Sequence, residues 1–513
     1  MVWAIDALQS DRVEAAKPFI EFPPEAATSE IGSDSLIHKW ELETLISQLL
    51  ITPKKRLRED RNVFLNCKLF SAGANAINFL RKLEEAEAGI YLKRFNILYE
   101  MHRLGQRQFS WQRGYANIPQ LYRYAYIYNH GGCAQFFEDN FGLSLNHLSL
   151  VGFALYSAFL TQPIVGKNSS IVELGIQAST VDRALRLLVA PLDVAQRQTA
   201  AIIKKAIGGE NWRLPVAYRP SFIRQRPIIS FGTNQERLRA PLVQLILLRI
   251  TSGIYHDLVD QSSLRNEASR RFEGYCERYI RAMMSRFKVH PSHSYQLRGN
   301  EIESPDISIE DQGKIVVAVE CKATKLSFSA QFAEDPADNA RRNYGEIAKG
   351  VFQLWRYFAH TRRTVVNEVH VSNRACGMVL TLDTWLTMSA ELQDEVLATA
   401  AQMANKDRDI KDEDRRPVVF CTIQDPEAAL ARSDEDSFLN ALIAAGENKF
   451  RGWALPNIIA QAEHPRAEIK PFPFKLGDVL PWWDEVEEMR KRLSPRQQRS
   501  SANEVPGEAI LSD

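Results

Sequence analysis

Apolar positions recur at helical spacing through most of the first half of the chain. Leu36, Ile37, Trp40, Leu42, Leu45, Ile46, Leu49 and Leu50 line one side of an amphipathic helix, residues 76–92 predict a second, and residues 171–205 predict further helices with a start at Thr180-Val181-Asp182-Arg183. The longest apolar stretch, Leu148 to Leu160, is interrupted by Ser149, Gly152 and Ser157 and is too short to cross a bilayer, so it predicts a buried helix. The first 30 or so residues are Pro/Ala-rich and read as irregular. Between Arg213 and Phe231 the pattern changes: Pro215, Pro220 and Pro227 interrupt it, and Pro227 to Phe231 reads as a short strand. A domain boundary is therefore expected near residue 225, followed by an apolar helix over Pro241–Leu258 packed between the two halves.

The second half alternates between periods. Ser269 to Phe287 predicts a helix, residues 306–322 a β-hairpin, Asn343 to His360 a helix, and Cys376–Leu382 and Val418–Ile423 two strands. The expected fold class is α+β and multi-domain: an all-α N-terminal domain (1–225), an α/β domain with a mixed central sheet (226–425), a helical or irregular extension (426–493) and a polar, disordered tail (494–513). The charged run Lys406 to Arg416 reads as a solvated loop.

Composition narrows the function classes only slightly. The chain has 513 residues, 45% hydrophobic and 25% charged, with a formal net charge of +1, so a nucleic-acid surface would have to arise from local clustering of Lys and Arg. Six scattered cysteines without a CxxC provide neither a zinc knuckle nor an iron–sulfur ligand set and predict free thiols. The N-terminus lacks a basic start followed by an apolar run, and no segment predicts a membrane span, so a cytoplasmic location is expected. No GxxxxGK[ST] or Gly-x-Ser-x-Gly is present. His290 and His293 straddle Pro291 in an expected surface loop. Residues 109–115, with Tyr122, Tyr124, Tyr126 and Tyr128 beside Arg113 and Arg123, offer two readings: bases stacked on aromatic rings, or a packed tyrosine-rich helix, the commoner cause.

The chemistry concentrates in the hairpin. Glu320 and Lys322 alternate onto one face while Cys321 points to the other. A turn centred on Gly313 places Asp306 directly opposite Glu320, with Cβ atoms about 5 Å apart, close enough for two carboxylates to share a divalent ion. A tight turn between Asp311 and Gln312 pairs Asp306 with Val317 instead and removes it from that face. In the first register, the Cys321 carbonyl becomes a further oxygen ligand, and the trio suits phosphodiester hydrolysis, with Lys322 orienting a water or balancing developing charge. An ordinary surface Glu–Lys pair is the alternative.

Pro305-Asp306, the strand after it and Glu320-Cys321-Lys322 resemble the signature of the PD-(D/E)XK nuclease superfamily, whose fold is restriction-endonuclease-like. The resemblance implies Mg²⁺ or Mn²⁺ as cofactor, with metal ligands Asp306, Glu320 and the Cys321 carbonyl. It also implies an acidic residue from the preceding helix. Phe272-Glu273 resembles that element, with Glu277 a rival on the same helix. Six basic residues (Arg270, Arg271, Arg278, Arg281, Arg286, Lys288) could face phosphates or water. Gln353 and Tyr357, four apart on one helix face, are similar to the QxxxY motif of RecB-like members, which implies that Gln353 positions water or phosphate.

The resemblance spans about residues 262–385, and the N-terminal half matches no family. The cysteine set of Cas4-type relatives is absent, and residues 326–342 form an insertion. The resemblance therefore implies a nuclease, with DNA the expected substrate and RNA not separable by sequence, and with catalytic Asp306, Glu320, Lys322, Gln353 and Glu273. Its setting would be prokaryotic restriction or antiviral defence, with self-association or a partner protein left open. An inactive nucleic-acid-binding scaffold and an RNase are the alternatives.

Overall fold

The computed structural model describes residues 1–52, 66–91, 97–167, 176–207, 214–258, 261–323, 325–326, 331–332, 344–366, 369–383, 390–461 and 468–492. Most of the expected insertion at 326–342, the tail from 494, Arg213 and the start of the 171–205 run lie outside them. The protein is mixed α+β, helical toward the N-terminus and with its larger sheet later in the chain. It divides into two compact units, Met1–Arg94 with Arg107–Asp260 and Lys475–Asp513, and Phe95–Gln106 with Gln261–Phe474. The division thus falls at residue 260 rather than near 225, and the chain returns to the first unit at Lys475.

In the first unit the periodic segments form the helices Lys39–Ile51, Phe70–Tyr91, Ile118–Tyr128, Leu145–Thr161, Ala178–Leu188 and Leu192–Ile207. The unit is not all-α. The proline-flanked run forms a buried strand, Ile228–Phe231, which pairs with Val189–Pro191 on one side and Arg237–Arg239 on the other, and Val165–Gly166 completes a four-stranded sheet. The prolines mark turns inside this unit, not a border. The Pro241–Leu258 run lies within it too and is broken: the helix Gln244–Ile250 ends where Thr251 leaves helical backbone (φ −119°, ψ −102°) and its hydroxyl donates to the Leu247 carbonyl at 2.6 Å.

The aromatic segment packs inward. Trp111, Tyr115, Tyr122, Tyr124 and Tyr128 are buried, as is Arg123, and Trp111 Nε1 donates to Glu43 at 2.9 Å, so these rings present no stacking platform to a strand. Leu148, Val151, Leu155 and Phe159 are the buried stripe of Leu145–Thr161. No single helix among the described residues is long and apolar enough to cross a membrane.

The second unit is built on a five-stranded mixed sheet. In chain order its elements are α1 (Ser262–Met283), β1 (Lys288–Pro291), β2 (Ile307–Asp311), β3 (Lys314–Lys322), α2 (Gly345–Arg362), β4 (Val371–Thr381), α3 (Ala390–Ala404), β5 (Val418–Thr422), α4 (Gln424–Arg432) and α5 (Glu435–Ala445). The strand order is β5-β4-β3-β2-β1, with β3, β4 and β5 parallel and β1 and β2 antiparallel to their neighbours. His290 therefore sits in strand β1, not in a loop, and its Nε2 lies 3.0 Å from Glu310. Val317, Val319, Met378, Val379 and Leu380 are fully buried, as strands covered on both faces require.

Helices cover both faces of this sheet. α1 buries Leu264, Ala268, Phe272, Tyr275, Cys276, Tyr279, Ile280 and Met283, the three- and four-residue spacing of one stripe. Tyr275 Oη donates to Glu427 at 2.6 Å and Tyr279 Oη to the Glu427 carbonyl at 3.2 Å, so α4 belongs to this unit rather than to a separate extension from 426. α2 and α3 share an apolar cluster that includes Ala318, Val351, Leu354, Val379, Val396 and Ala400. The charged run after α3 is not simply solvated. Asp414 is buried and accepts from Arg362 Nε and Nη2, both at 2.8 Å, which ties the run to the end of α2.

Candidate active site

A bulge decides the register on which the site depends. The hairpin turns at Gln312 and Gly313, both with positive φ (48° and 80°), and Asp311 pairs with Lys314. Carried on unbroken, that pairing would set Asp306 against Val319 and turn it to the opposite face. Val316 is an extra residue: Glu310 pairs with Ile315, but Ile309 pairs with Val317 and Ile307 with Val319. The next position places Asp306 beside Glu320. Neither turn considered from the sequence is the one observed, yet the bulge yields the same pairing as a turn centred on Gly313.

Two hydrogen bonds hold the arrangement. Asp306 Oδ2 accepts the Cys321 backbone N–H at 2.7 Å, and Lys322 Nζ donates to Glu320 Oε2 at 3.0 Å. The Lys322 carbonyl accepts from Leu382 on the β4 side. Backbone groups of successive strand residues alternate in direction, so the Cys321 carbonyl points toward Asp306. Glu320 is 3% exposed and Asp306 and Lys322 are half-buried.

Glu273 is a third carboxylate within electrostatic reach of Asp306 and Glu320. Burial, then the charge of Asp306, pushes Glu273 up to about 7, with Lys322 and Arg270 acting in the other direction. Glu277, the rival, is ion-paired with Arg281 one turn along α1. Glu320 is also pushed up to about 7, mainly by burial, with Asp306 and Glu273 adding to it against Lys322. Burial raises Asp306 as well, opposed by the Cys321 N–H. Lys322 is raised: burial disfavours its charge, but Glu320 and Asp306 more than compensate. Behind the sheet, the Cys321 thiol is hydrogen-bonded to Cys276 and held well above its usual range by that bond and by burial.

Among the described residues no group of three His, Cys, Asp or Glu side chains forms a ready-made metal site. The donors nevertheless suit a hard divalent cation. Asp306 and Glu320 are adjacent carboxylates, the Cys321 carbonyl points to the same place, and both Glu273 and Glu320 have their proton affinity raised in part by the other carboxylates. Protons and a cation would therefore compete for this cluster, and binding of Mg²⁺, followed by calorimetry, is expected to tighten as pH rises from 6 to 8. A pH-independent affinity would contradict that.

α2 crosses the same face. A Cβ added to Gly350 would lie 3.2 Å from Lys322 Cε and 3.6 Å from Glu320 Cβ, so the glycine makes room for the lysine. Tyr357 hydrogen-bonds Ser308 of β2, the next same-face pair below Asp306 and Glu320. Gln353 lies between these two points on α2 and is half-buried, with no side-chain hydrogen bond to a described residue. Sequence reading missed Gly350. Its signal was a glycine inside an otherwise strong helical pattern. Gly350→Ala is expected to leave the melting temperature unchanged or higher, because alanine favours helix by about 1 kcal/mol. Any activity carried by Lys322 should still fall about tenfold or more as the ammonium is displaced.

The basic cluster on and after α1 is largely committed elsewhere. Arg281 pairs with Glu277, Arg286 with Asp436 and Lys288 with Glu310, while Arg278 lies over the Phe474 ring. Arg270 is within electrostatic reach of Glu273.

The class of site is thus a carboxylate–lysine cluster at the end of a mixed sheet, between helices on its two faces. Comparison of the chain with protein-family models, curated proteins and solved structures returned no match.

Proposed function

We propose that the second unit is a restriction-endonuclease-like domain that hydrolyses phosphodiester bonds of nucleic acid, DNA above all, with Mg²⁺ or Mn²⁺. One observation carries the reading: the Val316 bulge places Asp306 opposite Glu320 with Lys322 on the same face. Asp306, Glu320 and the Cys321 carbonyl would hold the ion, with Glu273 the nearby further carboxylate. When bound, such an ion polarises the scissile phosphate and lowers the pKa of an attached water.

The chain's own groups supply the rest. Lys322, kept charged by Glu320 and Asp306, offers an ammonium at the face where negative charge would develop. Asp306 is locked by the Cys321 N–H, so one carboxylate oxygen has a set direction while the other is left for a ligand. Gln353, its amide unengaged among the described residues, shares a helix face with Gly350 and Tyr357 and is suited to orient water or a phosphate oxygen.

The test is incubation of the purified chain with plasmid DNA and with RNA in Mg²⁺ or Mn²⁺, beside Asp306→Ala. Cleavage by the wild type, lost on chelation and in the variant, is the expected outcome. Equal activity, or equal inactivity, in the two proteins under every condition overturns the reading and favours a binding scaffold. Cleavage of RNA alone retains the chemistry and changes the substrate.

A further inference from the structure

The helix Phe70–Tyr91 of the first unit docks through one side and leaves the other uncovered. Ile77 and Phe70 are buried, Arg81 reaches Glu41 and Glu84 receives Arg107 at 2.8 Å. On the far side Phe79, Leu83 and Ile90 are 71%, 45% and 62% exposed. With the part-buried Ala72 and Ala76 and the exposed Ala86 they fall at alternating spacings of four and three residues, the core spacing of a two-stranded coiled coil sustained along the helix. Scattered exposed apolar residues need no explanation, whereas an apolar line at regular coiled-coil spacing along the flank of the exposed side does.

We propose that this seam pairs in parallel with the same helix of a second copy of the chain, and charge chooses both partner and direction. In the heptad that the seam defines, Lys82 flanks it on one side and Glu87 on the other, five residues later. That is the spacing at which flanking residues of parallel helices meet, so Lys82 of one copy reaches Glu87 of the partner subunit, twice by symmetry. Antiparallel pairing would set lysine beside lysine and glutamate beside glutamate. Lys82 Nζ already lies over the Phe79 ring, 6.0 Å from its centroid, at the edge of the seam. Glu87 gives one oxygen to the Val216 N–H at 2.7 Å, leaving the other for the partner. The small residues at Ala72, Ala76 and Ala86 allow close approach. The pairing is independent of the nuclease reading.

Sedimentation of the full chain over a concentration series tests this. The wild type is expected to dimerise reversibly at micromolar concentration. Leu83→Lys and Phe79→Lys, both at exposed positions, should raise the dissociation constant by about two orders of magnitude or more with unchanged circular dichroism. Direction is read in a Cys67→Ser background, because Cys67 is exposed. There Ala86→Cys, a core position facing its own counterpart only in the parallel pair, should form an interchain disulfide with copper phenanthroline and dissolved oxygen. A chain monomeric at every concentration, or a dimer indifferent to both lysine variants, overturns the pairing. A dimer sensitive to them that does not cross-link overturns its parallel direction.

Discussion

Lys322→Ala is expected to lower the proposed metal-dependent cleavage by about two to three orders of magnitude, with little loss of stability at pH 7. The first half comes from position: Lys322 is the ammonium on the face shared by Asp306 and Glu320. The second half is less intuitive, because removing one partner of a buried ion pair can cost about 3–5 kcal/mol. Here the remaining Glu320 has a way out. Burial and its acidic neighbours already place its pKa near 7 against an ordinary 4.5, and loss of Lys322 raises it further. At neutral pH it therefore takes up a proton at small cost.

These shifts fix the sign of the pH dependence. The folded value lies above the unfolded one, so the contribution of Glu320 to stability is full below about pH 4.5 and is lost as pH rises through 7. The melting-temperature gap between wild type and Lys322→Ala should be small at pH 6 and should widen by pH 9. Glu320→Gln, which cannot ionise, should be more stable than wild type at pH 8 in the absence of divalent ions, and the advantage should shrink toward pH 5. Thermal scans at these pH values, paired with cleavage assays, check both halves. A large, pH-independent destabilisation by Lys322→Ala would count against the account of Glu320.

Phe272→Ala is expected to cost about 3–5 kcal/mol, a large part of the stability of an ordinary domain. Phe272 is fully buried on α1, in the same stripe as Ala268, Tyr275 and Cys276. It also positions the next residue, Glu273, which burial, and then the charge of Asp306, pushes up to about 7. The variant should therefore lose both stability, read by denaturant or calorimetric unfolding of the second unit, and activity. Glu273→Gln separates the two effects: activity should fall while stability at pH 8 holds or rises, by the same sign argument as for Glu320. A Phe272→Ala protein as stable as wild type would mean that α1 does not anchor this face of the sheet.

Much of the architecture is written in local pattern. The stripe from Phe272 to Met283 predicts α1, the alternation from Ile307 to Lys322 predicts the hairpin, and the β-branched runs at 376–382 and 418–423 predict interior strands, because period and burial are linked residue by residue. The turn at Gln312-Gly313 was only half legible. A glycine announced it, but Gln312 at positive φ did not. The domain border was misplaced for a related reason. Prolines mark turns, and only pairing between Ile228–Phe231, Val189–Pro191 and Arg237–Arg239 reveals that these turns lie inside a unit. The return of the chain to the first unit at Lys475 leaves no local trace, since Trp482 donating to Ser149 at 2.9 Å is a contact across the length of the sequence.

The chain by itself determined which chemistry is available: Asp306, Glu320 and Lys322 in a hairpin, Glu273 on the helix before and Gln353 on the helix after. Tertiary structure alone brought Asp306, Glu320, Lys322 and Glu273 within electrostatic reach of one another. A single extra residue, Val316, moves Asp306 onto the face of Glu320. The path of α1 selects Glu273 while Arg281 occupies Glu277. The bare backbone of Gly350 leaves the space in which Lys322 lies. Strand registers, ion-pair choices and close helix approaches depend on partners far away in sequence, and a one-residue slip in any of them leaves every local pattern unchanged while dispersing the site.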